Sequence, residues 1–356
     1  MRRPAHAGHP ADEHVALPAD LSTRRLAVRA AQVVALLVVL GLVVALAPGL
    51  GRVRDAFARA DPGWLALGVL LEALSGASYV LMFRPVFCSR LSWRTSWEIG
   101  WSELAVGSLL PASGAGGLAL GAWILRQGGM PGERIARRSV AFFLIKSSVN
   151  FVAVAVLGAL MAAGVVGPPL SPWLTAAPAA AAALVVVAVI LMPHIGRGPD
   201  ARPTDGRPRR WLTAARHALV DGAREAVVIV RSRNALVIAG SVGYWAWDNA
   251  VLWATYHAFG ATVPLTVVLM GYLIGQLGGL LPLPGGIGGI DGGLLGTLVV
   301  YGVPAAPAAA AILAYRVILF WLPLVVGAGA FALLRRGLNH PARPDLCAPV
   351  PAQVPS

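Results

Sequence analysis

Residues 280–293 read LLPLPGGIGGIDGG, and the apolar sequence on either side of this segment makes it decisive. Two prolines and six glycines cannot sit inside a regular helix of about twenty residues without breaking it. The flanking arms of the apolar region 265–302 are too short to cross a bilayer singly, a feature of re-entrant helices. A second broken region occurs at 95–126, where LLPASGAGG at 109–117 interrupts the apolar sequence in the same way. Superposing Pro111 on Pro282 brings Gly107, Leu109, Leu110, Gly114, Gly117 and Gly121 onto Gly278, Leu280, Leu281, Gly285, Gly288 and Gly292.

Outward from these two breaks the chain is dominated by apolar runs at about 30–47, 63–82, 139–162, 175–192, 235–257 and 308–334, each close to the length of a membrane span. With 57% hydrophobic residues and 13% charged ones, no soluble catalytic domain is expected. The expected fold is an all-α polytopic membrane protein of six transmembrane helices plus two re-entrant helical hairpins in an inverted repeat. The repeat units are about 29–165 and 174–336, within a transmembrane region 29–336. Residues 1–28 and 337–356 read as cytoplasmic tails, the first disordered and without signal-peptide character.

Charge placement sets the expected orientation. If the broken regions are hairpins, the cytoplasmic side holds most of the arginines, including Arg84, Arg90, Arg94, Arg134, Arg137 and Arg138, while only Arg52, Arg54 and Arg59 lie outside. Loops 163–174, 258–264 and 303–307 carry no charge, whereas 193–234 is arginine-rich. The amphipathic stretch Trp211 to Val230 within that loop reads either as a helix on anionic inner-leaflet lipids or as a solvated linker. The net charge of +13 therefore reflects topology, and nucleic-acid binding is not expected. Cys88 and Cys347 both fall on the expected cytoplasmic side, so two free thiols are expected, with no metal or other cofactor.

Charged residues inside apolar runs mark the candidate site, because each costs roughly 2.5–3.5 kcal/mol at the bilayer centre unless a partner or cavity receives it. The only lysine, Lys146, aligns within one residue of Arg316 in the repeat register, and a slightly different offset pairs Glu72 with Asp248. Lys146 and Arg316 read as a staggered cationic pair for a lipid phosphate, or as partners of acids such as Glu103 and Asp291. Asp291 reads equally as a helix N-cap. Glu72 and Asp248 suit a proton, a cationic headgroup or interhelical hydrogen bonds, and Glu98 suits the interface beside Arg94. Gly114, Gly117, Gly285 and Gly288 let backbone approach a headgroup, or simply let helices pack closely. An intramembrane aspartyl protease built on Asp248 and Asp291 is disfavoured, because Gly289-Ile290-Asp291 lacks the Gly-x-Gly-Asp arrangement.

The motif at 280–293, followed by Tyr315-Arg316 and Trp321 and preceded by LLPASGAGG, resembles the transmembrane region of lysylphosphatidylglycerol synthases and their stand-alone flippase-like relatives. The resemblance covers roughly residues 30–336. It implies a lipid-translocating protein, with Pro111, Pro282 and Tyr315 joining the charged residues at the substrate site; the short, uncharged external loops leave no catalytic residues expected. The first motif lacks the Arg and Glu that often follow Pro-Gly in the family, and Asp291 stands where Glu is common. Headgroup preference therefore does not carry over. The aminoacyl-transferring domain has no counterpart here, so synthesis of lysyl-lipid is not expected. A non-transporting partner or anchor of a lipid-modifying enzyme is the alternative.

Overall fold

A computed structural model describes residues 51–109, 115–196, 198–200, 202, 206–276 and 289–338, together with scattered positions between 24 and 38. Among these the regular elements are all helices: α1 (Gly51–Ala58), α2 (Pro62–Phe87), α3 (Trp93–Leu109), α4 (Ala115–Gln127), α5 (Gly132–Ala162) and α6 (Pro172–Ile195). There follow α7 (Arg207–Arg231), α8 (Ala235–Ala258), α9 (Leu265–Gly275), α10 (Gly289–Val300) and α11 (Ala305–Leu338). Four of them, α2, α5, α6 and α11, are long and apolar enough to cross a membrane. A fifth candidate is the pair α7 and α8, whose axes turn by 108° at the break between them. This is a multi-pass, all-helical membrane protein.

Five of the six apolar runs expected to span coincide with single helices, and the run at 30–47 lies mostly outside the described residues. Two of its described residues, Ala30 and Val34, pack against a small core of Leu109 and Phe320. The broken regions form pairs of short helices, α3 with α4 and α9 with α10, and within each pair the arms pack against one another. The breaks themselves, including Pro111, Gly114, Pro282, Gly285 and Gly288, lie outside the described residues.

The central contact is α2 against α8. Asp61 donates its N–H to the Ala258 carbonyl at 2.8 Å, Gly68 faces Val251, Ser75 Oγ bonds the Tyr244 carbonyl at 3.1 Å, and Gly240 lies against Ser78. Residue numbers rise along one helix as they fall along the other, so the two run antiparallel throughout. Their mid-points, at Glu72 and Asp248, are level. Gly240 makes the close approach possible, since a Cβ there would stand 2.7 Å from the Ser78 carbonyl oxygen and 2.8 Å from the Met82 nitrogen.

Two apolar cores lie at either end of this pair. One gathers Phe83, Phe87, Ile99, Phe142 and Val237, and the other gathers Val251, Tyr256, Val268, Leu294 and Ala308. Beyond the first core sit the arginines of the chain turns. Arg138 bonds the Val86 carbonyl at 2.6 Å and pairs with Glu225 of α7 at 2.9 Å, and Arg137 pairs with the same carboxylate at 3.4 Å. These bonds explain why α5 begins seven residues before its apolar run: the polar first turns are held by α2 and α7. Beyond the second core, the rings of Trp64, Trp253 and His257 cluster in edge-on and tilted contacts, with centroids 4.3–5.3 Å apart. Basic groups at one end and amphipathic aromatic rings at the other are an interfacial pattern.

The stretch expected to be amphipathic is a continuous helix, α7, packed on α5 and α6. Gly222 seats it against Val140, while Trp211 and Leu212 remain 70% and 61% exposed. One expectation is overturned: Cys88 is disulfide-bonded rather than a free thiol, with its partner outside the described residues. The expectation rested on compartment alone, and compartment does not decide whether a given thiol is paired.

Candidate functional site

Between the two cores, at the level of Glu72 and Asp248, the packing opens into a cavity of about 270 Å³. Its charged lining is Glu72 from α2, Glu103 from α3, Lys146 from α5, Asp248 from α8 and Arg316 from α11. Residues far apart in sequence converge because each sits near mid-length on a helix that contacts α2 or α8.

The three acids are held differently. Asp248, 8% exposed, accepts hydrogen bonds from the phenols of Tyr272 and Tyr315, the latter at 3.0 Å. Glu103, 2% exposed, accepts one from Tyr79 at 2.7 Å. Its carboxylate occupies the space that a side chain at position 121 would fill, so Gly121 makes room for it on α4. Gly117, one turn earlier, lies against the Glu103 backbone carbonyl, so its role here is close packing of α4 on α3. Glu72, 7% exposed, has an Oε2 with no hydrogen-bonding partner among the described residues.

The two cations also differ. Arg316 forms an ion pair with Asp291, in the first turn of α10, so that carboxylate answers a side chain of α11 rather than merely capping its own helix. Lys146 forms no ion pair within 4 Å among the described residues. Its ammonium instead lies 5.2 Å from the ring centre of Tyr244, 5.9 Å from Tyr79 and 6.0 Å from Phe143. Aromatic faces attract a cation but leave its three N–H donors available to a further acceptor. Glu98 pairs with Arg94 at 3.0 Å, outside the cavity, as its position beside that arginine suggested.

The site therefore brings together Glu72, Glu103, Lys146, Asp248 and Arg316, with Asp291 and Tyr315 directly behind it. Sequence reasoning overlooked Tyr79, Tyr244 and Tyr272, which supply the donors and ring faces. A signal was available: each phenol lies within an apolar run, where its hydroxyl needs a partner. Among the described residues no three His, Cys, Asp or Glu side chains are grouped to hold a metal ion.

The sequence model of the family described as the lysylphosphatidylglycerol synthase TM region matches residues 32–327. The chain belongs to this family. A UPF0104 membrane protein of Methanothermobacter thermautotrophicus is 27% identical over 329 residues, covering 83% of this chain and 94% of the relative. A further match to a UPF0104 membrane protein of that organism is 34% identical over 85 residues, about a quarter of each chain. The matched span includes every charged residue of the cavity, so the site lies within the part that defines the family.

Proposed function

We propose that this chain is a flippase or scramblase that moves a phospholipid or polyprenyl-phosphate headgroup between the leaflets of the cytoplasmic membrane, with no chemical step. The observation that carries this reading is the charged cavity between two apolar cores, halfway along an antiparallel helix pair. A headgroup crossing hydrocarbon loses its water, and replacement donors must meet it on the way. Lys146 offers uncommitted donors, and Arg316 together with the Tyr79 and Tyr244 rings lies alongside. At about 270 Å³ the cavity is smaller than pockets that enclose whole drug-sized ligands, of about 300–1,000 Å³, which suits a headgroup whose tails stay in lipid.

The helix order α2, α3–α4, α5 is repeated as α8, α9–α10, α11, and the equivalent helices α2 and α8 run antiparallel. This supports an inverted repeat of six spans and two re-entrant hairpins, an architecture that places transport sites where the repeats meet. Both termini then lie in the cytoplasm, and α7 rests on the anionic inner leaflet. Cysteines introduced into a background lacking Cys88 and Cys347 test the orientation. Ala214→Cys on α7 should react with an impermeant maleimide only from the inside and Ala305→Cys only from the outside; the opposite pattern refutes it.

The decisive measurement is leaflet exchange of a fluorescent phospholipid in vesicles containing the purified protein, read by dithionite bleaching. Exchange well above that of protein-free vesicles is the expected result. Its absence across several headgroups would favour the second reading, an anchor for a lipid-modifying enzyme, for which the exposed Trp211 and Leu212 beside the arginines of α7 are the motivating feature.

A further inference from the structure

We propose that Glu72 is a proton-binding site, and that one proton crosses with each anionic headgroup. This rests on the leaflet-exchange reading and adds to it a coupling ion and a direction. Among the described residues four helices pack extensively against α2, and each presents chemistry to the middle of the helix. Facing the Glu72 region are Glu103 from α3, Lys146 from α5, Tyr244 and Asp248 from α8, and Arg316 with Tyr315 from α11, beside Tyr79 on α2 itself.

The protein's donors are unevenly shared among these acids. Asp248 receives two phenols and Glu103 receives one, while Arg316 is matched by Asp291. Lys146 and Arg316, the latter already paired with Asp291, are the cations that face these three carboxyl groups. The shortfall falls on Glu72, whose buried Oε2 meets no donor among the described residues. An ionised carboxylate accepts at both oxygens and is costly to bury without donors, whereas its protonated form carries no charge. Of the three acids, Glu72 is therefore the one the fold leaves to exchange a proton.

The cycle balances in charge. A headgroup phosphate arriving at the Lys146 ammonium brings one negative charge into the cavity that Glu72 also lines, and a proton taken up on the Glu72 carboxylate offsets it. When the headgroup leaves on the other side, the proton leaves with it and Glu72 returns to its ionised form. A singly charged anionic headgroup and a proton together carry no net charge, so the step is driven by a pH difference and not by membrane potential. At equilibrium the headgroup gathers in the leaflet facing the alkaline side, by about tenfold per pH unit for one proton per lipid.

The test uses the full-length protein in phosphatidylcholine vesicles with nitrobenzoxadiazole-labelled phosphatidylglycerol as the probe. A pH difference is imposed, the leaflet distribution is read with dithionite, and lumenal pH is followed with trapped pyranine. The expected result is accumulation facing the alkaline side, unchanged by an imposed potassium diffusion potential. In Glu72→Gln the asymmetry should vanish, and Glu72→Asp should restore part of it. Rapid exchange to an even distribution at every imposed pH difference would overturn the proposal, as would an undiminished asymmetry in Glu72→Gln or accumulation driven by a sodium gradient instead. If no lipid is exchanged at all, the leaflet-exchange reading fails, and infrared difference spectra of the purified protein judge the proton site alone. A protonated-carboxyl band that titrates and is missing in Glu72→Gln supports the site; identical bands in both proteins remove it.

Discussion

Replacing Lys146 by glutamine is expected to slow leaflet exchange of an anionic phospholipid between about tenfold and a hundredfold, with protein yield close to that of the unaltered chain. The range follows from the loss of one hydrogen bond to a charged group, worth about 1.5–3 kcal/mol, where every 1.4 kcal/mol is a factor of ten. Yield should hold because Lys146 has no ion pair within 4 Å among the described residues, so glutamine breaks no direct contact with a carboxylate. The ammonium is held by ring faces of Tyr244, Tyr79 and Phe143, and glutamine keeps much of that contact. Lys146→Arg retains the charge and should keep measurable exchange. An unchanged rate in Lys146→Gln would remove the cation from the mechanism and shift recognition to the acids. Arg316→Gln is the less clean experiment, because it also breaks the ion pair with Asp291.

Adding one methyl group should have opposite effects at two helix glycines. Gly240→Ala places a Cβ 2.7 Å from the Ser78 carbonyl oxygen, and neither that backbone nor Met82 behind it can move without parting α2 from α8. A destabilisation of about 1–3 kcal/mol is expected, and with it loss of the alignment between Glu72 and Asp248. Gly329→Ala, on α11, meets no atom within 4 Å and removes a flexible residue from a helix interior. It should leave stability unchanged or raise it by about 0.5–1 kcal/mol. Thermal unfolding in detergent, followed by size-exclusion fluorescence, compares the two. Equal melting temperatures for both variants would mean that the α2–α8 contact is looser than described.

The helices themselves are legible in the sequence. Runs of twenty or so apolar residues have no solution in a bilayer but a helix, because every backbone donor must be satisfied within the segment. For the same reason the Pro-Gly clusters divided two regions into short arms, and these are α3, α4, α9 and α10. Charges such as Glu72, Lys146, Asp248 and Arg316 announced themselves by position, since nothing but a cavity or a partner explains an ionisable group there.

Which partner each would take could not be read from the sequence. Arg316 and Lys146 look equivalent in the repeat register, yet one is matched by Asp291 and the other is enclosed by aromatic rings. Glu72 and Asp248 look equivalent too, yet Tyr272 and Tyr315 reach only Asp248. These differences are settled by side chains arriving from helices 24 to 67 residues away, at distances where a displacement of one ångström makes or breaks a hydrogen bond. Hydropathy and local spacing determine that a segment is helical and that a charge is buried. Only tertiary packing decides which buried charge is satisfied, and here it leaves one carboxyl oxygen, on Glu72, without a donor among the described residues.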